Sequence, residues 1–149
     1  MYIFRAISLT FLCFYMTSAT SATNLQSNIF TDVIGEHEAK NEDFDWGSIT
    51  TYYSGESAGT QDVLVAVAIV NAGREIHPPH KHAEEEYLML LEGQGTWTVK
   101  GKDFKAVAGD MLYAAPWNLH GIKNTGTKPL KFIVWKWNSK EGFNIPVEK

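Results

Sequence analysis

The chain has 149 residues, a formal net charge of −4 at pH 7 and 44% hydrophobic residues, enough apolar content for one domain with a core of its own. The balance is mildly acidic and holds no basic patch, so nucleic acid is not an expected partner. Past the N-terminus there is no apolar stretch of about twenty residues, so no membrane span is expected within the domain.

Residues 1–22 have the layout of a secretory signal peptide: Arg5 at the start, an apolar run over 6–16, and small residues up to Ala22. Cleavage after Ala19 or Ala22 and export to a secreted or periplasmic location are expected. The single cysteine, Cys13, lies in this leader, so the mature chain is expected to have no disulfide, no thiol nucleophile and no thiolate ligand. Residues 23–48 are polar and acidic, with Glu36, Glu38, Glu42, Asp43 and Asp45, and read as a loosely ordered lead-in in which His37 is a surface residue. Residues 49–54 are rich in β-formers, and 55–59 form a turn. Residues 62–70 are a continuous apolar run between turn residues, which predicts a strand buried on both faces. Asn71, Ala72 and Gly73 turn the chain. Lys100, Gly101 and Lys102 separate residues 96–99 from 104–107, a hairpin signature. Gly109 and Asp110 make another turn before a strand over 111–114. Asn124 to Thr127 make the next. Residues 130–137 then alternate, with Leu130, Phe132 and Val134 set against Lys131 and Lys136, and Trp135 and Trp137 out of phase. Many short strands with frequent turns predict a sandwich or barrel over 49–138, followed by a polar tail over 139–149.

His80 and His82 stand one residue apart, Glu86 follows closely, and His120 is distant. On an extended strand, residues two apart share a face, so His80 and His82 can reach one ion. Ala83, Glu84 and Glu85 give enough chain for a turn that brings Glu86 back in a neighbouring strand. There is a plainer reading. Residues 83–91 are strong helix formers, and on a helix His82 and Glu86 would be an ordinary ion pair one turn apart.

Two spaced patterns set that reading aside. Gly73, His80, His82, Glu86 and Gly93 resemble the first motif of the cupin superfamily, and Gly109, Pro116, His120 and Asn124 resemble the second. The spacing from His80 to Gly93 fits without adjustment. Gly73 stands one residue further from His80 than usual, Gly109 and Pro116 are one residue further apart, Pro116 and His120 one closer, and the middle glycine of the second motif is missing. The resemblance covers roughly residues 49–137. It implies an all-β double-stranded β-helix, the jelly-roll barrel, with residues 83–91 as strand. It also implies His80, His82, Glu86 and His120 as ligands of one metal ion.

Three imidazoles and one carboxylate suit a divalent transition metal: Fe, Mn, Zn, Ni, Cu or Co. Such an ion polarises a carbonyl or hydroxyl, lowers the pKa of a bound water, or activates oxygen if it is redox-active. The resemblance implies isomerase, lyase or dioxygenase chemistry on a small oxygenated or sugar-derived molecule. The alternative is a non-catalytic barrel that binds a small ligand or carbohydrate; a complete ligand set favours the enzyme. A small-molecule ligand is the expected partner, with a homodimer allowed. Arg74, Tyr113, Trp117 and Asn118 are candidate pocket residues, from their places beside the two motifs. Arg74, in the alternation phase of His80, is of a type to hold a carboxylate bidentately. His77, three residues before His80, would face away from the ion on a regular strand.

Overall fold

The computed structural model describes residues 32–139, and it places nine strands in them with no helix. They are β1 (Lys40–Phe44), β2 (Gly47–Gly55), β3 (Thr60–Val70), β4 (Glu85–Glu92), β5 (Gln94–Val99), β6 (Lys102–Val107), β7 (Met111–Ala114), β8 (His120–Lys123) and β9 (Leu130–Ser139). A six-stranded sheet has the order β1-β2-β3-β9-β4-β7, and a three-stranded sheet the order β6-β5-β8. The pairings are antiparallel, and the crossover that sets β9 between β3 and β4 gives the jelly-roll barrel that the motifs implied. The helix formers of 83–91 lie mostly in β4. There Glu86, Leu88 and Leu90 alternate inward while Tyr87, Met89 and Leu91 point out, so pairing on both sides overrides local propensity.

The core lies between the sheets. Ala66, Ala68 and Val70 of β3, Leu88 and Leu90 of β4, and Leu130, Phe132 and Val134 of β9 supply one side. Trp97 of β5 and Ala106 of β6 supply the other. Gly95 lets β5 and β8 close up: a Cβ there would stand 2.2 Å from the Lys123 carbonyl oxygen. The β5–β6 hairpin turns on two residues, Lys100 (φ 51°) and Gly101 (φ 77°), which are the left-handed pair of a type I′ turn; Lys102 already belongs to β6.

Three expectations from sequence change. Strand β3 is buried on one face only: Ala66, Ala68 and Val70 are sealed, whereas Ile69 on the other face is 38% exposed. A continuous apolar run does not say how many layers cover a sheet, and here only the inner face is covered. The lead-in contains β1, whose polar, exposed residues pair with β2 from Lys40↔Thr51 to Phe44↔Gly47. Polar, charged composition is what an exposed edge strand needs. Finally, Lys136 has the parity of Leu130, Phe132 and Val134, and it pairs with the inward Glu86, so it faces the barrel interior and not the outside. The leader expected over 1–22 and the tail beyond Ser139 lie outside the described residues.

Candidate metal centre

The segment that carries His80 and His82 is a loop rather than a strand. Pro78 and Pro79 lack the N–H that ladder pairing needs, and only His80 makes a bridge, with His120 at the start of β8. That bridge is two backbone hydrogen bonds: His80 N–H donates to the His120 carbonyl at 2.9 Å, and His120 N–H donates back to His80 at 3.0 Å. Two residues on, Trp117 N–H donates to the His82 carbonyl at 2.8 Å. The first motif is thus fastened at both histidines to the second. Asn124 holds the other end of that connection. It is fully buried, donates through Nδ2 to the Val70 and Lys128 carbonyls at 2.8 Å each, and accepts from Gly126 N–H at 2.9 Å.

The three imidazoles converge, with ring centroids 5.0 Å apart for His80–His82 and 4.8 Å for each of the other two pairs. One ligating atom from each lies within 4.8 Å of the others, a geometry that could hold a metal ion. Glu86 is buried against two of them: Oε2 is 3.1 Å from His82 Nε2, and Oε1 is 3.5 Å from His120 Nε2. The second contact is too long for a well-formed hydrogen bond and acts through charge.

The hydrogen bonds on the far side of two rings decide what this arrangement wants. His120 Nδ1 donates to the Asn118 carbonyl at 2.8 Å, and His82 Nδ1 donates to the Glu84 carbonyl at 3.1 Å, with the Glu84 carboxylate 3.2 Å away. With Nδ1 holding the proton of a neutral ring, each Nε2 turns a lone pair towards the Glu86 carboxylate. Two lone pairs against an anion are stable only with a cation between them. Without metal that cation is a proton. Burial opposes the charge on His120, but the Glu86 carboxylate and the Asn118 carbonyl outweigh it and raise its pKa above the ordinary 6.5. Burial likewise opposes charge on Glu86, yet His120 and His82 beside it hold its carboxyl down at about 2. His80 goes the other way, lowered to about 4 by burial and by the neighbouring His77, His120 and His82. His80 Nδ1 and His120 Nε2 are buried without a hydrogen-bond partner. Buried orphan nitrogens of this kind, next to a buried carboxylate, fit a divalent ion.

Beside the centre is a cavity of about 180 Å³. His80, Glu86 and His120 line it, and Ile49, Leu64, Leu88, Phe132 and Val134 make apolar walls. The four residues nominated as pocket candidates do not line it. Arg74 is exposed, since the Gly73 turn (φ 76°) and the loop after it break the phase with His80. Tyr113 pairs with Tyr87 on the outer face of the sheet, is 47% exposed, and donates its hydroxyl proton to Glu85 at 2.7 Å; its neighbours Leu112 and Ala114 take the inward parity. Trp117 (φ 61°) and Asn118 sit in the turn before β8, where Asn118 Nδ2 donates to the Pro116 carbonyl at 3.2 Å. Their backbones hold His82 and His120, and their side chains stay out of the cavity. Sequence reasoning missed Lys136, whose even parity on β9 was the available signal. It also missed Glu84, hidden in an acidic run, and His77, whose ring centroid is 4.0 Å from that of His80 and which lines the cavity because the loop is not a regular strand.

Residues 66–136 match the family described as Cupin domain. Gentisate 1,2-dioxygenase of a Streptomyces species is 29% identical over 75 residues, 50% of this chain and 19% of that protein. Dimethylsulfoniopropionate lyase DddW of Ruegeria pomeroyi is 30% identical over 82 residues, 55% of this chain and 53% of that protein. The chain therefore spans at most about half the length of these curated relatives. Among solved structures, a predicted oxalate decarboxylase of Thermotoga maritima superposes with a TM-score of 0.59 at 24% identity, over 72% of this chain and 99% of that one, a likeness of fold. With a jelly-roll barrel, two matching motifs and this family match across its core strands, the chain belongs to the cupin superfamily.

Proposed function

We propose that the chain is a metal-dependent enzyme that acts on a small oxygenated molecule, with His80, His82, Glu86 and His120 holding one divalent transition metal ion. A single observation carries this reading: three imidazoles offer ligand atoms within 4.8 Å of one another, two of them through Nε2 atoms aimed at a buried carboxylate, at the edge of an apolar cavity. A bound ion of this class supplies Lewis acidity, a more acidic bound water, or oxygen activation if it is redox-active. The protein's own residues do the rest. The Asn118 and Glu84 carbonyls fix the rings of His120 and His82 in the tautomer that presents Nε2, and Glu84 adds a carboxylate behind His82. Leu64, Leu88, Phe132 and Val134 exclude water from the ligand's body. Relatives that are named as a dioxygenase and a lyase support enzymatic chemistry as a class, and neither assigns the reaction here.

Elemental analysis of the protein purified without added metal tests the reading. About one ion per chain, lost on substitution of His120, is expected; iron would direct attention to oxygen chemistry, and zinc or manganese to Lewis-acid chemistry. A chain that takes up no divalent metal when challenged would instead be a ligand-binding barrel. Export belongs to the same proposal and rests on the leader over 1–22; intact mass of the natural product should show an N-terminus after Ala19 or Ala22.

A further inference from the structure

Among the residues lining the cavity, Lys136 is the single lysine or arginine. Its place there follows from the register. It pairs with Glu86 across β4–β9 and continues the inward series of Phe132 and Val134, so an ammonium group enters the end of the barrel that holds the histidines. Its side chain is 27% exposed, and its Nζ stands 3.6 Å from Glu84 Oε1. That is an ion-pair distance, too long for a hydrogen bond, and no hydrogen bond from the ammonium to another of the described residues is formed. Glu84 is shared as well, because its other oxygen faces His82 Nδ1 at 3.2 Å. The anion on the facing strand, Glu86, is committed to His82 and His120.

The charge count at this end favours an anionic guest. Three neutral imidazoles, one carboxylate and a divalent ion leave one positive charge. Lys136 adds a second, and Glu84 offsets one. The walls are otherwise apolar, and in such surroundings an ammonium attracts an anion more strongly than it would in water. The cavity is small as well, about 180 Å³, which suits a guest of modest size.

We propose that Lys136 is the specificity residue of this site, and that the ligand is a small monocarboxylate whose carboxylate meets Lys136 while its apolar body lies against Leu64, Phe132 and Val134. The inference deepens the metal-enzyme reading, since a carboxylate held at Lys136 places its neighbouring carbons beside the histidines. A lysine suits this role as a point charge, with no need for the planar fork that arginine demands.

The test is a ligand-observed NMR titration of butyrate against butyramide, its uncharged match in size, on the metal-free and the zinc-loaded full chain. Wild type should prefer butyrate to butyramide in both forms through the contact with Lys136, by about tenfold or more in the zinc-loaded chain and by a smaller factor in the metal-free chain, which lacks the two positive charges of the ion. Lys136→Met keeps the length of the side chain and should remove the preference, with butyramide binding and zinc content unchanged. Lys136→Arg should restore part of it. If Lys136 serves only to steady Glu84, Lys136→Met will lower zinc affinity and leave the butyrate preference intact, and the proposal falls. It also falls if wild type does not bind butyrate or does not distinguish the two probes. The metal-free arm separates this inference from the metal reading: a chain that takes up no zinc but loses its butyrate preference in Lys136→Met keeps the carboxylate site and loses the enzyme.

Discussion

The barrel interior has two ends built from the same strands on opposite principles. At one end Val70, Leu90, Ala106 and Leu130 are sealed, each at most 1% exposed, and buried Asn124 satisfies three backbone groups around them. At the other end the same inward parity delivers Leu64, Glu86 and Lys136 from β3, β4 and β9, the two motifs add the histidines, and a cavity remains. Two or three steps along β4 and β9 convert close-packed hydrocarbon into charged groups that lack ideal partners. Stability is concentrated where polar atoms are satisfied, and binding capacity where they are not. A site of this kind is tolerable because the packed end holds the sheets together without it.

Substitutions on either side should break that division in opposite ways. The largest effect is expected from Leu90→Ala at the sealed end, which should lower unfolding stability by about 2–5 kcal/mol in denaturant titrations while the folded fraction still binds metal normally. A loss of metal affinity comparable to that in a ligand variant would show that the two ends are not separable.

Next is His120→Ala. Loss of a ligand should exceed the ten- to hundredfold weakening typical of changes behind a ligand, so metal affinity should drop by more than about a hundredfold. Wild-type affinity in equilibrium dialysis would remove His120 from the ligand set. Glu84→Gln probes the support behind His82 and should weaken metal binding by about tenfold with little change in unfolding midpoint. An unchanged affinity would assign Glu84 to Lys136 alone.

The mildest perturbation is pH: three unperturbed imidazole ligands would each release a proton on metal binding near pH 6 to 5, and the geometry alters that for two of them. His80, lowered to about 4, carries no proton in that range. His120 is raised, so its proton is bound already at and somewhat above pH 6.5 and must leave when metal enters. Metal affinity should therefore begin to fall above pH 6.5 as pH drops, with His80 adding a further loss only near pH 4. In the metal-free chain the sign for His120 is the reverse: its contribution to stability is complete below 6.5 and is lost as pH rises through its raised value. Glu86, held at about 2, stabilises the fold above about 4.5 and loses that contribution as pH falls from there towards 2. Metal occupancy and proton uptake recorded against pH would check the first claim, and unfolding of the metal-free chain the second. An affinity that stays flat between about pH 8 and pH 5 would mean that His120 is not a ligand.

By itself the sequence determined the class of fold and the convergence of the three histidines with Glu86. Spaced motifs and turn residues are local, one-dimensional signals, and they survive any uncertainty about which strand neighbours which. The strand over 111–114 and the hairpin around Gly101 were legible for the same reason. Tertiary structure alone decided the rest. Whether β3 is covered on one face or two depends on a second layer that its own residues do not encode. β1 is a strand only because β2 offers it a ladder. Tyr113 and Arg74 left the pocket, and Lys136 and His77 entered it, because one step of register or one irregular loop reverses the face a side chain takes.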